Sequence, residues 1–140
     1  MSLYLKLISV LLLGGYTLHP FINGLGCDYQ SHVISAQSEI YTTCKFGVVN
    51  TVAKDLKTGK SMRYVGIYGK SGDTVFFNVI KLHTLTKGSD AVVSITSLFS
   101  ENEFYVAKNI TYNKKDWILL QYPYYDIYPS TRIGQLAFFD

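Results

Sequence analysis

Apolar positions change their spacing along the chain, and the change divides it into segments. Between residues 33 and 48 they fall at Val33, Ala36, Ile40, Tyr41, Cys44 and Val48, mostly three or four apart, the repeat of a helix with one buried face. Ser35 stands where a capping hydroxyl belongs and Gly47 where a left-handed residue ends a helix. The spacing therefore predicts a helix over about Ala36 to Phe46. Beyond it the repeat becomes two. Met62 to Tyr68, Thr74 to Leu82, Ala91 to Phe99, Glu103 to Thr111 and Trp117 to Gln121 are rich in Val, Ile, Phe, Tyr and Thr and read as strands. Ala91, Val93, Ile95 and Phe99 share one face, expected to cover the helix. Turn residues separate these runs: Thr58-Gly59, Gly69 to Asp73, Lys87 to Asp90, Ser100 to Asn102 and Asn113-Lys114. The pattern predicts an α+β domain, one N-terminal helix packed on a single antiparallel β-sheet.

Two apolar stretches lie outside this scheme. Gln121 to Pro129 interleaves tyrosines with Pro123 and Pro129, and proline is excluded from central strands. It is expected to be a loop laying Tyr122, Tyr124, Tyr125 and Tyr128 over the sheet edge, or offering them as a protein-contact surface. Leu136 to Phe139 is too apolar to float free and is expected to dock as a last strand.

At the N-terminus, Lys6 precedes the uncharged run Leu7 to Leu13, then Gly14 and Gly15. A short basic start, an apolar run and small residues describe a secretory signal peptide, and this run is shorter than the roughly 20 residues a bilayer requires. Cleavage fits after Gly15 or after Gly26. A buried N-terminal element and a lipoprotein signal at Cys27 are the alternatives, the second opposed by Gly24 where a leucine-like residue belongs. The division is thus a signal peptide over 1–26 and a single domain over 27–140. In an exported chain Cys27 and Cys44, the only cysteines, are expected to form a disulfide. Asn109-Ile110-Thr111 is a glycosylation acceptor triplet.

Composition narrows the class further. The 140 residues suit one domain, and 48% apolar against 16% charged residues exclude a disordered chain. Twelve tyrosines and eight phenylalanines favour a β-rich domain. The net charge of +3 is too small to announce a nucleic-acid protein. The positive charge is concentrated in residues 45–70, where six cations face only Asp55. Lys54, Lys57, Lys60 and Arg63 are the candidate phosphate or RNA contacts there. With two cysteines and few histidines no metal site is expected, and no cofactor motif is present.

Cys27, Ile34-Ser35-Ala36, Ile40 and Cys44-Lys45-Phe46, and then Gly88 to Ile95 followed by Glu103 to Ala107, are similar to the opening and to the valine-rich strand, turn and strand of the small guanyl-specific fungal ribonucleases, whose order of elements the chain resembles. The resemblance covers about residues 27–111 and implies a ribonuclease-like fold. It carries over no catalytic residue. Ala91 stands where those enzymes place arginine, and neither Lys108-Asn109 nor Met62-Arg63-Tyr64 supplies their histidines. A secreted, catalytically inactive domain of this kind resembles the RNase-like effectors of powdery mildew fungi. Leu25-Gly26-Cys27 lacks their aromatic residue, and their late cysteine is missing. Membership implies a monomeric effector in the host cytoplasm, binding a plant protein such as an immune receptor, or RNA, with no membrane contact once the signal is removed. Two other classes stand beside it. One is a secreted ribonuclease or other hydrolase using His32 or His83 with carboxylates from distant strands. The other is an exported β-domain that inhibits an enzyme or binds a small ligand, to be recognised by a closed barrel with a lined cavity.

Overall fold

A computed structural model describes residues 3–88, 103–123 and 125–140. Its elements are α1 (Leu3–Gly24), β1 (Asp28–Ile34), β2 (Ser38–Lys45), β3 (Val48–Asp55), β4 (Ser61–Ser71), β5 (Thr74–Thr86), β6 (Phe104–Tyr112), β7 (Lys115–Tyr122) and β8 (Asp126–Gln135). Each strand pairs antiparallel with the next, and β1 pairs with β8, closing the sheet into an eight-stranded barrel. The expectation of an α+β chain with one N-terminal helix fits only in outline. The single open sheet is overturned, because Asp28 to Val33 align with Gln135 to Ser130 and leave neither edge free.

The predicted helix at 36–46 is β2 and its flanking turns. Ser38, Ile40, Thr42 and Cys44 face inward, and two of these are hydroxyl residues. Polar side chains at inward positions break the apolar alternation and leave a three-or-four spacing by default. Ser35 does cap, but it caps a hairpin: its Oγ accepts from the Ser38 and Gln37 amides at 3.0 and 3.3 Å. Gly47 is left-handed, with φ 74° beside Phe46 at 49°, and the pair makes a two-residue turn from β2 into β3. Asn113 and Lys114 turn β6 into β7 in the same way.

The last strand also differs from expectation. It is Asp126–Gln135, through Pro129, while Leu136 to Phe138 forms bends and Phe139 is irregular, with Leu136 and Ala137 buried. Pro129 lies opposite Trp117, before pairing with β1 begins at Ser130, so it occupies an edge position where a prolyl residue is tolerated. The expected strands at Met62, Thr74, Glu103 and Trp117 correspond to β4 to β7. The one at Ala91 to Phe99 lies outside the described residues, as does Tyr124.

The interior has two apolar clusters. Ala53, Met62, Tyr64, Val79, Tyr105, Ala107 and Leu120 fill one part of the barrel. Cys27, Cys44, Val49 and Tyr68 form the second, near the end that also receives the last turn of α1. The disulfide joins Cys27 to Cys44 with alpha-carbons 5.7 Å apart, across the β1–β2 pair.

Candidate functional site

Alternate residues of every strand point into the barrel, and their sizes decide what space remains. Thr42, Thr51 and Ala107 are small, and around them lies a cavity of about 170 Å³. Its walls are Val33, Ile40, Val49, Val75 and Phe77 on one side and Tyr105, Ile118, Leu120 and Tyr128 on the other. The two hydroxyls in its middle satisfy each other, Thr42 Oγ1 to Thr51 Oγ1 at 3.1 Å.

Toward the helix end of the barrel the lining becomes polar. Tyr29, Thr42, Tyr68, Val75 and Ile118 border both the cavity and a neck that adds Ser31, Asn109, Arg132 and Leu136. Asn109, Arg132 and Leu136 in turn border an outer bowl shared with Lys70, Asp73 and Asp140. Apolar chamber, neck and polar mouth therefore adjoin one another, each sharing lining residues with the next.

Two groups in the neck are buried without a hydrogen-bond partner among the described residues, the Tyr68 hydroxyl and Asn109 Oδ1. Such groups cost about 1–3 kcal/mol each when left unpaired. Burial pushes the Tyr68 phenol far above its ordinary range, with the nearby Tyr29 phenol and Asp140 carboxylate adding to the shift and Arg132 opposing it. Burial raises Tyr29 as well. Both remain neutral hydroxyls at any physiological pH.

The charges at the mouth cancel in pairs. Arg132 Nε contacts Asp116 Oδ2 at 2.8 Å and its Nη1 lies 3.6 Å from Asp140 Oδ2, while Lys70 Nζ lies 3.3 Å from Asp140 Oδ1. Both cations are paired and Asp73 adds a third carboxylate, so no positive charge is left over for an anionic guest.

The residues singled out from the sequence are dispersed. Cys27 and Cys44 are bonded. Lys54 and Arg63 lie on the outer wall of β3 and β4, with Lys57 and Lys60 in the turn between them, and Arg63 donates to Asn50 Oδ1 at 2.7 Å. Of the tyrosine group, Tyr122 and Tyr125 are exposed, whereas Tyr128 lines the cavity. Asn109, the glycosylation candidate, has its side chain in the neck rather than on the outer wall. His83 faces Arg63 across β4 and β5.

His32 does meet a carboxylate, with Nε2 3.1 Å from Glu39 Oε1 and its ring stacked on Tyr41 at 4.0 Å between centroids. The Tyr41 hydroxyl and then His32 hold the Glu39 carboxyl below its usual range. This trio sits on the outside of the barrel. The shallow depression beside it is bordered by His32, Ile34 and Lys115, and Glu39 takes no part in it. Among the described residues no His/Cys/Asp/Glu group has a metal-binding arrangement.

Tyr29, Tyr68, Asp116 and Arg132 were not singled out from the sequence as site residues, and Asn109 was singled out only as a glycosylation acceptor. The run Met62 to Tyr68 reads as a strand, but polar inward residues carry no signal of a site when the fold is taken as an open sheet. Comparison with family models, curated proteins and solved structures finds no match to this chain.

Proposed function

We propose that this exported domain binds a small, mainly apolar molecule carrying one uncharged polar group, held inside the barrel. Export is supported by the apolar N-terminal helix and the formed disulfide. The observation that carries the reading is the apolar chamber adjoining a neck whose two buried polar atoms have no partner among the described residues. Eight strands enclose an interior that side chains can just fill, or that holds one small ligand. Here they do not fill it, and an apolar void on the order of 150 Å³ accepts a benzene-sized guest.

The neck selects the polar group. Asn109 Oδ1 accepts a hydrogen bond and the Tyr68 hydroxyl can donate one, so a hydroxyl or amide satisfies both. A carboxylate offers no donor to Asn109, must shed its hydration and finds the cations already paired. The effector reading depended on a helix across an open sheet, and the closed barrel removes that support. The hydrolase reading gains only an outer-wall His32–Glu39 contact, without a cleft that includes both.

Octane, 1-octanol and octanoate, titrated at pH 7 by calorimetry and by thermal shift, test the proposal. Octanol is expected to bind at least ten-fold more tightly than octanoate, with octane between them or weaker than both. Absence of binding by all three, or preference for octanoate, rejects it.

A further inference from the structure

We infer that α1 is a retained membrane anchor that tethers the helix end of the barrel to a lipid bilayer. The first ground is how the C-terminal turn of α1 is built into the domain. Asn23 is buried, and its Nδ2 donates to the Lys70 carbonyl at 3.0 Å and to the Phe139 carbonyl at 3.4 Å. Its Oδ1 accepts from the Phe139 amide at 2.8 Å, and its carbonyl accepts from the Phe138 amide at 3.1 Å. Gln135 Nε2 donates to the Gly26 carbonyl at 3.0 Å. A β-carbon on Gly24 would come within 2.6 Å of the Tyr68 carbonyl oxygen, and one on Gly26 would collide with the Phe138 backbone. Gly24 and Gly26, the second a candidate cleavage point, are thus explained by close backbone packing. Cutting after Gly26 would remove the residue that ties β4 to the C-terminal segment.

The second ground is the rest of the helix. From Leu3 to Gly24 it is 22 residues long, about 33 Å at 1.5 Å per residue, against a hydrocarbon core of about 30 Å. Its apolar side chains are exposed all round, with Leu11 at 73% and Leu12 at 70%, and its 18-residue apolar window is 0% buried. The run that looked too short in the sequence continues through Gly14 and Gly15 as helix, and glycine is common in spanning helices. The sole charge in the helix, Lys6, lies near its N-terminus. Positive charge stays on the cytoplasmic side, which places the barrel and its disulfide on the opposite, oxidising side.

The test expresses the full chain in cells with a secretory pathway and examines it by intact mass, alkaline carbonate extraction and protease protection. The expected result is a chain that still contains residues 3–26, remains in the carbonate-resistant pellet and has its barrel on the luminal or outer side. A released protein beginning at Tyr16 or at Cys27 overturns the inference. Asn23→Ala in the full chain supplies an independent readout. It is expected to lower the unfolding midpoint by several degrees, and an unchanged midpoint also overturns the inference, because the turn would then be dispensable.

Discussion

At the scale of single residues, the barrel separates two uses of tyrosine. Tyr41, Tyr122 and Tyr125 stand in solvent, while Tyr64, Tyr68 and Tyr105 are buried. Tyr68 is the informative one, since its hydroxyl is buried without a partner among the described residues and its ionised form is strongly disfavoured in the folded state. Its folded pKa is raised above the unfolded value near 10, so its contribution to stability is fully present below about pH 10 and declines as pH rises beyond it. The slope is about 1.4 kcal/mol per pH unit for each proton. Tyr68→Phe is therefore expected to flatten the alkaline limb of the stability curve by up to one proton, as measured by denaturant unfolding between pH 9 and 11. The same substitution is expected to weaken octanol binding, because it removes one of the two groups that meet the ligand's hydroxyl.

Among elements, legibility followed what each strand had to bury. β4 and β5 showed clear alternation, with Met62, Tyr64, Tyr68, Val75, Phe77 and Val79 all inward. β1 and β2 did not, since Ser31, Ser38 and Thr42 occupy inward positions and erase the period. β8 was hidden by Pro129 and by tyrosines that resemble a loop. Residue spacing therefore gave most of the strands, export and cysteine count gave the disulfide, and closure was missed because it depends on β1 and β8, which polar inward residues and Pro129 disguise. Closure in turn converts an apolar sheet face into a chamber, and for that reason the site was not readable from the pattern. The disulfide belongs to this scale because it ties the start of β1 to the end of β2 inside the second apolar cluster. It closes a separation of 17 residues, for which the chain-entropy model gives about 3 kcal/mol. Replacing both cysteines with alanine is expected to lower stability by about that amount, read from urea unfolding of oxidised wild type and variant.

For the molecule as a whole, the chamber makes stability and binding separable. A guest that binds only the closed barrel raises its stability by mass action, about 2.7 kcal/mol at a hundred times the dissociation constant. Ala107 lines the empty space and is 8% exposed, so Ala107→Phe places a ring where the guest would sit. The variant is expected to melt within a few degrees of wild type and to lose the thermal shift produced by octanol. A retained shift would locate the guest elsewhere.

The seam between β1 and β8 has a consequence for biogenesis. Asp28 must find Gln135, and no pairing earlier in the chain can substitute for it. A nascent polypeptide emerging residue by residue can zip up seven ribbons in order, yet it holds two raw margins and no inside until its final ribbon is delivered. Guest capture is thereby confined to finished chains, and every prematurely stopped product carries sticky margins that invite self-association.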